Sequence, residues 1–163
     1  MPEGKDTVLC STSAVGYYGF HGDEELTEND GPGDDFLASV CVDWEKEAQK
    51  AAEKGARIVL TRFGIVLGKT GGALGQMIPA FKKFVGGPLG TGKQWFSWVH
   101  MEDLLQAFLF VLDHDAVQGP VNFCAPNPVR NKTLAKALGK VLSRPSFVKT
   151  PALTLRLALG EFG

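Results

Sequence analysis

With 163 residues, 44% of them hydrophobic and 21% charged, the chain has the make-up of one globular domain or of a piece of a larger one. That excludes the disordered and collagen-like classes. A formal charge of -1, with Lys and Arg dispersed along the chain, gives no basic stripe and argues against a nucleic-acid partner. No apolar run approaches ~18 residues, so no spanning helix and no membrane partner are expected, and the opening MPEGKDTVLC lacks the layout of a signal peptide. Cys10, Cys41 and Cys124 are odd in number, show no C-x-x-C spacing and sit among apolar residues, as small core residues of a reduced, intracellular, cytoplasmic protein would.

Thr7–Gly19, TVLCSTSAVGYYG, runs from a short apolar stretch into a Ser/Thr cluster and then a glycine-tyrosine turn. Val8, Leu9 and Cys10 suit a strand covered on both faces, and Ser11, Thr12 and Ser13 fall where it would emerge at its C-terminal edge. Open parallel sheets bind ligands at that edge. Three hydroxyls can donate and accept hydrogen bonds there, while Gly16 and Gly19 let the backbone turn away; the other reading is a plain strand end followed by turn residues. A polar loop with five acids follows from Phe20 to Gly33, then a helix from about Asp34 to Lys54. Phe36, Val40, Trp44, Ala48 and Ala51 share one face, which an amphipathic helix turns to the core, with Asp34 and Asp35 at its positive end and Gly55 past the other. Arg57–Leu60, RIVL, is a second apolar strand. Strand, helix and strand joined by a right-handed crossover give parallel strands and an α/β chain.

A loop over Thr61–Gly72 comes next, then a helix near Ala73 to Val85, the glycine-rich GGPLGTG at Gly86–Gly92 and a short aromatic strand Gln94–His100. Met101–His114 reads as helix, Pro120–Cys124 as strand, Asn131–Leu142 as helix capped by Asn131, and Leu153–Leu159 as the start of another helix. The glycines of GKTGGALGQM, Gly68 to Met77, mimic a dinucleotide-binding fingerprint, but the G-x-G-x-x-G spacing is absent and no acid stands some twenty residues on to meet a ribose. A loop near the substrate fits them better.

Taken together, STSAVGYYG, the helix with DWEKEA, RIVLTRFGIVLG, GGPLGTGKQWFSWVHMEDL and NFCAPNPVRNKTLAKALGKVL resemble the atypical extended short-chain dehydrogenase/reductase group. More narrowly they are similar to its epimerase family branch, related to sugar-nucleotide epimerases. The resemblance covers essentially the whole chain. It implies a Rossmann-like parallel sheet that binds NAD or NADP, with a smaller C-terminal region closing over a small-molecule, nucleotide-linked substrate. It also implies that the strand and G-x-x-G-x-x-G pyrophosphate turn with which such proteins begin, and three further strand-helix units, have no counterpart here. The chain then corresponds to the second half of the fold: residues 1–124 a partial nucleotide-binding domain with a substrate-side insertion at about 69–93, and 125–163 the start of a truncated substrate-side region. Weak or absent cofactor binding by this chain alone, and self-association through an exposed sheet edge, are expected on this reading.

By the same resemblance Ser13 matches the serine that positions the reacting oxygen, whereas the tyrosine and lysine of the usual Tyr-x-x-x-Lys pair are missing. Their places fall on Leu37 with Cys41 or on Ser39 with Asp43. Without that pair the usual proton donor is gone. Tyr17 and Tyr18 line the substrate side or pack, and Lys46 and Lys50 read as a solvated face. Gly64, Ile65 and Val66 take the place of the backbone that meets a nicotinamide carboxamide, or simply end a strand. Lys93 keeps a charge where relatives use an arginine fork toward a diphosphate, and Trp95 and Trp98 stack on a base or fill the core. Glu102 and Asp103 serve the positive end of the next helix, and with no second His or Cys at ligand spacing beside His100 no metal site is predicted.

Overall fold

The computed structural model describes residues 7–69 and 71–148. In chain order the elements are β1 (Val8–Ala14), a 3-10 turn (Val15–Tyr18), α1 (Phe36–Gln49), a second 3-10 turn (Lys50–Lys54), β2 (Arg57–Phe63), β3 (Ile65–Gly68), α2 (Gly72–Lys82), β4 (Trp95–Phe96), β5 (Trp98–His100), α3 (Met101–Asp113), β6 (Gly119–Phe123), β7 (Val129–Arg130) and α4 (Asn131–Leu142). The helix expected at Leu153–Leu159 lies outside the described residues. The chain divides into two compact units, Met1–Gly64 with Val99–Ala125 and Ile65–Trp98 with Pro126–Gly163. Among the described residues no helix is long and apolar enough to cross a membrane.

The first unit is built on a parallel sheet in the order β1-β2-β6. β2 is central, and Ile58 to Arg62 are all buried, as a strand with neighbours on both sides and covered faces must be. It continues to Phe63, so the loop expected from Thr61 is strand at its start and includes β3 further on. Polar Thr61 is tolerated inside because its Oγ1 donates to the Ser11 carbonyl at 3.1 Å. β1 departs from the expectation of two covered faces: among the described residues it is an outer strand, with Leu9 36% exposed and Ser13 its one buried residue. The Ser/Thr cluster therefore lies within the ladder, which runs on to Ala14, and not beyond its edge.

In α1 the sequence pattern and the packing part company. Asp35 caps the helix, its carboxylate accepting from the Ala38 N–H at 2.9 Å. The buried residues are Ala38, Cys41 and Glu45, while Phe36 and Trp44 of the expected core face are 68% and 54% exposed. The two aromatic rings of the stripe point outward, while Val40, Ala48 and Ala51 are half-buried. Small residues let the helix approach the sheet closely, and the one carboxylate among them meets a buried guanidinium from β2. Elsewhere in the unit, the Arg57 guanidinium donates to the carbonyls of Val111 (3.1 Å) and Val117 (2.8 Å), closing the C-terminal end of α3 where carbonyls have no intrahelical partner. Phe63, Phe108 and Phe123 pack ring to ring between α3, β2 and β6.

In the second unit β4 and β7 pair antiparallel with Trp95 opposite Arg130, and α2 packs against α4. Gly71 and Gly72, at φ +142° and +61°, turn the chain into α2, a task that glycine performs without strain. The aromatic strand expected at Gln94–His100 is interrupted at Ser97, whose carbonyl accepts from the Ile65 N–H at 2.8 Å. Asn131 does not cap α4; its Oδ1 accepts from the Leu89 N–H at 2.8 Å and ties the glycine-rich loop to the helix.

The face assignment of α1 is testable. Ala38→Leu should destabilise the chain by about 1–3 kcal/mol through overpacking, whereas Trp44→Gln should stay within ~0.5 kcal/mol, both read by urea unfolding. Equal losses would mean that the aromatic stripe meets the core.

Candidate functional site

One row of side chains crosses the C-terminal ends of the three parallel strands. Ser13 of β1 lies opposite Arg62 of β2, and Arg62 opposite Asn122 of β6. Because neighbours in register point to the same face, these three side chains rise together, and Glu45 of α1 and Tyr18 of the first 3-10 turn come down on them. Ser13 Oγ donates to Glu45 Oε1 at 2.7 Å. Arg62 grips the same carboxylate two-pronged, Nε to Oε1 and Nη2 to Oε2, each at 2.8 Å, and its Nη1 donates to the Tyr18 hydroxyl at 2.9 Å. Tyr18 in turn donates to Asn122 Oδ1 at 2.8 Å, and the Tyr17 ring lies 3.5 Å under the Arg62 guanidinium carbon.

The network is dry. Ser13, Tyr18 and Arg62 are each 3% exposed and Glu45 is 6% exposed. Burial works against the Arg62 charge, yet the Glu45 carboxylate and the Tyr18 hydroxyl outweigh it and hold the guanidinium more firmly protonated than usual. Burial likewise pushes the Tyr18 phenol above its ordinary value of 10.0, although Arg62 pulls the other way. At neutral pH Tyr18 is therefore a neutral donor, and Ser13 has committed its single proton to a carboxylate. The thiols of Cys10 and Cys124 are also pushed up by burial, and all three cysteines are free.

The loop beyond the turn is held at its neck. Gly19, at φ +73°, and Gly33 approach so closely that a Cβ on Gly33 would stand 2.6 Å from Gly19 Cα, and the Gly33 N–H donates to the Tyr17 carbonyl at 2.9 Å. From within the loop Glu28 accepts from the Asn122 N–H at 2.8 Å. Gly16, Gly19 and Gly22 stand three apart, as in a pyrophosphate turn, but no helix opens there; the next one starts at Phe36.

Neither register for the Tyr-x-x-x-Lys pair holds a tyrosine or a lysine. Leu37 is 44% exposed, its Cβ near Gly16, and Cys41 is buried, while Ser39 and Asp43 of the other register are both exposed. In the segment proposed for a nicotinamide, the Gly64 N–H donates to Phe123 O at 3.1 Å and the Ile65 N–H to Ser97 O, so both donors are spent on the protein. What this segment offers a ring is the Ile65 side chain, 41% exposed.

Within the second unit the structure brings Lys93, Trp95 and Trp98 into the neighbourhood of Arg130. The Arg130 guanidinium lies 3.8 Å over the Trp95 ring and donates to the Lys93 carbonyl, while Trp98 Nε1 donates to Asn127 O at 3.2 Å. A planar guanidinium from β7 thus stands beside Lys93 and Trp95. Sequence reasoning passed over Glu45, Arg62 and Arg130; the signal available was a charged residue inside each of two apolar patterns and an arginine in the strand facing Trp95. Ser13 does not line the cavity of about 840 Å³ in the first unit that sits against α3 and β6 among Val99, Phe110, Val121 and Asn122. Among the described residues no group of three His, Cys, Asp or Glu side chains could hold a metal ion.

Glu45→Ala leaves Arg62 charged, buried and unpaired and should cost about 3–5 kcal/mol; Ser13→Ala should cost about 1 kcal/mol. Tyr18 holds its proton more tightly folded than unfolded, so its contribution to stability is complete below pH 10.0 and is lost as pH climbs through the raised folded value. Urea unfolding against pH should show that loss in the parent chain and not in Tyr18→Phe.

Comparison with known proteins places this geometry. Residues 4–124 match the family described as NAD dependent epimerase/dehydratase. Over 159 residues the chain is 49% identical to the epimerase family protein SDR39U1 homolog, chloroplastic, of Arabidopsis thaliana, covering 98% of this chain and 46% of that protein. It superposes on the human epimerase family protein SDR39U1 (isoform2), solved with NADPH, with a TM-score of 0.91 at 31% identity, over 99% of this chain and 54% of that one. On a nucleoside-diphosphate sugar epimerase from Corynebacterium glutamicum the TM-score is 0.76 at 39% identity, over 93% and 34% of the two chains. The chain spans about half the length of the curated relatives it matches.

Proposed function

The chain belongs to the NAD dependent epimerase/dehydratase family, and from that premise we propose that it supplies the substrate-side part of an NAD(P)-binding epimerase- or reductase-like protein acting on a nucleotide-linked small molecule. The observation that carries this reading is the row Ser13-Arg62-Asn122 at the C-terminal ends of parallel strands, where open α/β sheets take their ligands. NADP is the better-supported cofactor, since the human relative was solved with NADPH. When bound, a nicotinamide supplies hydride transfer. The residues proposed beside it are Gly64, Ile65 and Val66, with Ile65 giving apolar surface to the ring.

Toward a substrate, Ser13 Oγ is an acceptor, because its proton goes to Glu45. It orients a substrate hydroxyl and does not protonate a carbonyl. Tyr17 lines this side with Tyr18 buried behind it, and Lys93, Trp95 and Trp98 form a second set of substrate contacts, to which Arg130 adds the planar cation suited to a diphosphate. Free cysteines suit a reducing compartment such as the cytoplasm. The outward Phe36, Leu37 and Trp44 and the outer strand β1 support association with a second chain.

A second reading, a nucleotide-binding protein without catalysis, draws on the lack of a tyrosine and a lysine in either register of the family's pair, Leu37 with Cys41 or Ser39 with Asp43, which leaves the usual proton donor without a replacement. NADPH fluorescence titration should show no saturable binding to the 163-residue chain in the micromolar range, because among the described residues no strand, glycine turn and helix form a pyrophosphate site; micromolar binding would overturn the assignment of cofactor affinity to other parts of a larger fold. In the full-length protein, turnover of common UDP-sugars should be slow. Rapid turnover lost in Ser13→Ala but kept in its stability-matched control Ala38→Leu would sink the non-catalytic reading.

A further inference from the structure

The near-zero net charge of the chain hides a segregation that the expectation of dispersed cations missed. All but one of its acids, Glu161, lie in the first unit's two stretches, whereas residues 65–98 and 126–148 contain nine Lys or Arg and no Asp or Glu. The cations of the second unit therefore have no carboxylate of their own unit to answer them among the described residues. On α4, Lys132, Lys136 and Lys140 stand four apart on one exposed face, a like-charge row that costs helix stability unless something anionic meets it.

At one end this cationic surface is also apolar. The turn after α2 and the turn after α4 lie against each other: the Arg144 guanidinium sits 4.7 Å over the Phe84 ring, and Gly87 has room for no side chain because the Val148 backbone abuts it. Phe84 and Val85 of the turn after α2 are 58% and 52% exposed, and Val141, in the last turn of α4, and Phe147, beyond it, are 80% and 78% exposed. Phe84 holds φ +63°, a left-handed conformation that bulky residues rarely take, and Ser143, at φ +52°, closes α4. Lys82 and Lys83 precede Phe84 in the chain, Lys140 precedes Val141, and Arg144 lies over the Phe84 ring. Helix C-termini account for Lys82 and Lys140 locally, but not for exposed phenylalanines and valines between them.

We propose that this end of the second unit docks on an anionic lipid surface, with Phe84, Val85, Val141 and Phe147 entering the headgroup boundary and the four cations meeting lipid phosphates and carboxylates. Charge complementarity and the aliphatic character of the patch select this occupant. Val85 and Val141 offer no π-face to a nucleobase, and one face of Phe84 is already covered by Arg144. Docking of this kind needs no spanning helix.

The test is vesicle co-sedimentation of the full chain, with phosphatidylcholine alone and with phosphatidylcholine mixed with phosphatidylserine. Binding should require the anionic lipid and weaken as salt rises. Reversing Lys82, Lys83 and Lys140 to Glu should lower partitioning by at least about 100-fold, at roughly fivefold for each cation lost near the surface, with repulsion of the new carboxylates adding to it. Reversing Lys46, Lys50 and Lys54 of the first unit should leave it within about twofold. Phe147→Ser, at a position too exposed to disturb the fold, should weaken binding without altering its salt dependence and serves if the triple reversal unfolds. Equal sedimentation with both vesicles, equal loss from the two reversals, no effect of Phe147→Ser, or tighter binding to single-stranded oligothymidylate than to anionic vesicles would each overturn the proposal.

Discussion

The first unit depends on one buried ion pair. Arg62 and Glu45 are drawn out of water together, and neither could stay charged there alone. Desolvating two ions costs about what their attraction returns, so the pair adds little to stability by existing. Its force is conditional: once one partner is inside, the other must be placed with its hydrogen bonds complete. Ser13 and Tyr18 are recruited to that end, and among the described residues no buried side-chain nitrogen or oxygen is left without a partner. Three strands, a helix and a turn are thereby fixed at the edge where ligands bind.

That arrangement changes what Ser13 can do. A hydroxyl in open solvent chooses between donating and accepting, but one that donates to a carboxylate at 2.7 Å has only lone pairs to offer. Tyr18 is limited in a similar way. Its oxygen accepts from a fixed cation and its proton is given to Asn122, so the phenol is a strut of the site. Tyr17, stacked on the same guanidinium, is the phenol whose hydroxyl the network does not use.

Much of the fold was legible in the sequence. RIVL announced a second apolar strand, and the strand, helix, strand alternation carried the parallel topology with it, but which of the two strands is central was not legible. The faces of α1 were not legible, because periodicity shows that apolar residues share a side and cannot show whether the sheet or another surface lies there. Glu45 was concealed for the same reason: one carboxylate in DWEKEA reads as solvated until a partner from another strand is seen. Asn131 illustrates a local rule overridden from a distance, since a residue suited to capping α4 is engaged instead by Leu89. Arg130 became a site candidate only through pairing with Trp95, a contact across 35 residues of sequence that no motif encodes.

Charge followed a parallel logic. Summed over the chain it cancels, and a cancelled sum was read as the absence of a patch; division into units shows two large, opposite totals. Electrostatic fields fall off within a Debye length of about 8–10 Å at ordinary salt, so what a partner meets is the charge of the surface before it and not the sum over the molecule. A run of more than thirty residues without one acid, Ile65–Trp98, is improbable in a surface that has to keep its lysines only solvated, since interspersed signs lower the self-repulsion of any compact unit. The same stretch exposes Phe84 and Val85 in the turn after α2, beside Lys82 and Lys83. Cations without counter-charge and apolar groups without cover, kept side by side by two left-handed turns, are each unfavourable in water and are both relieved by a single kind of surface.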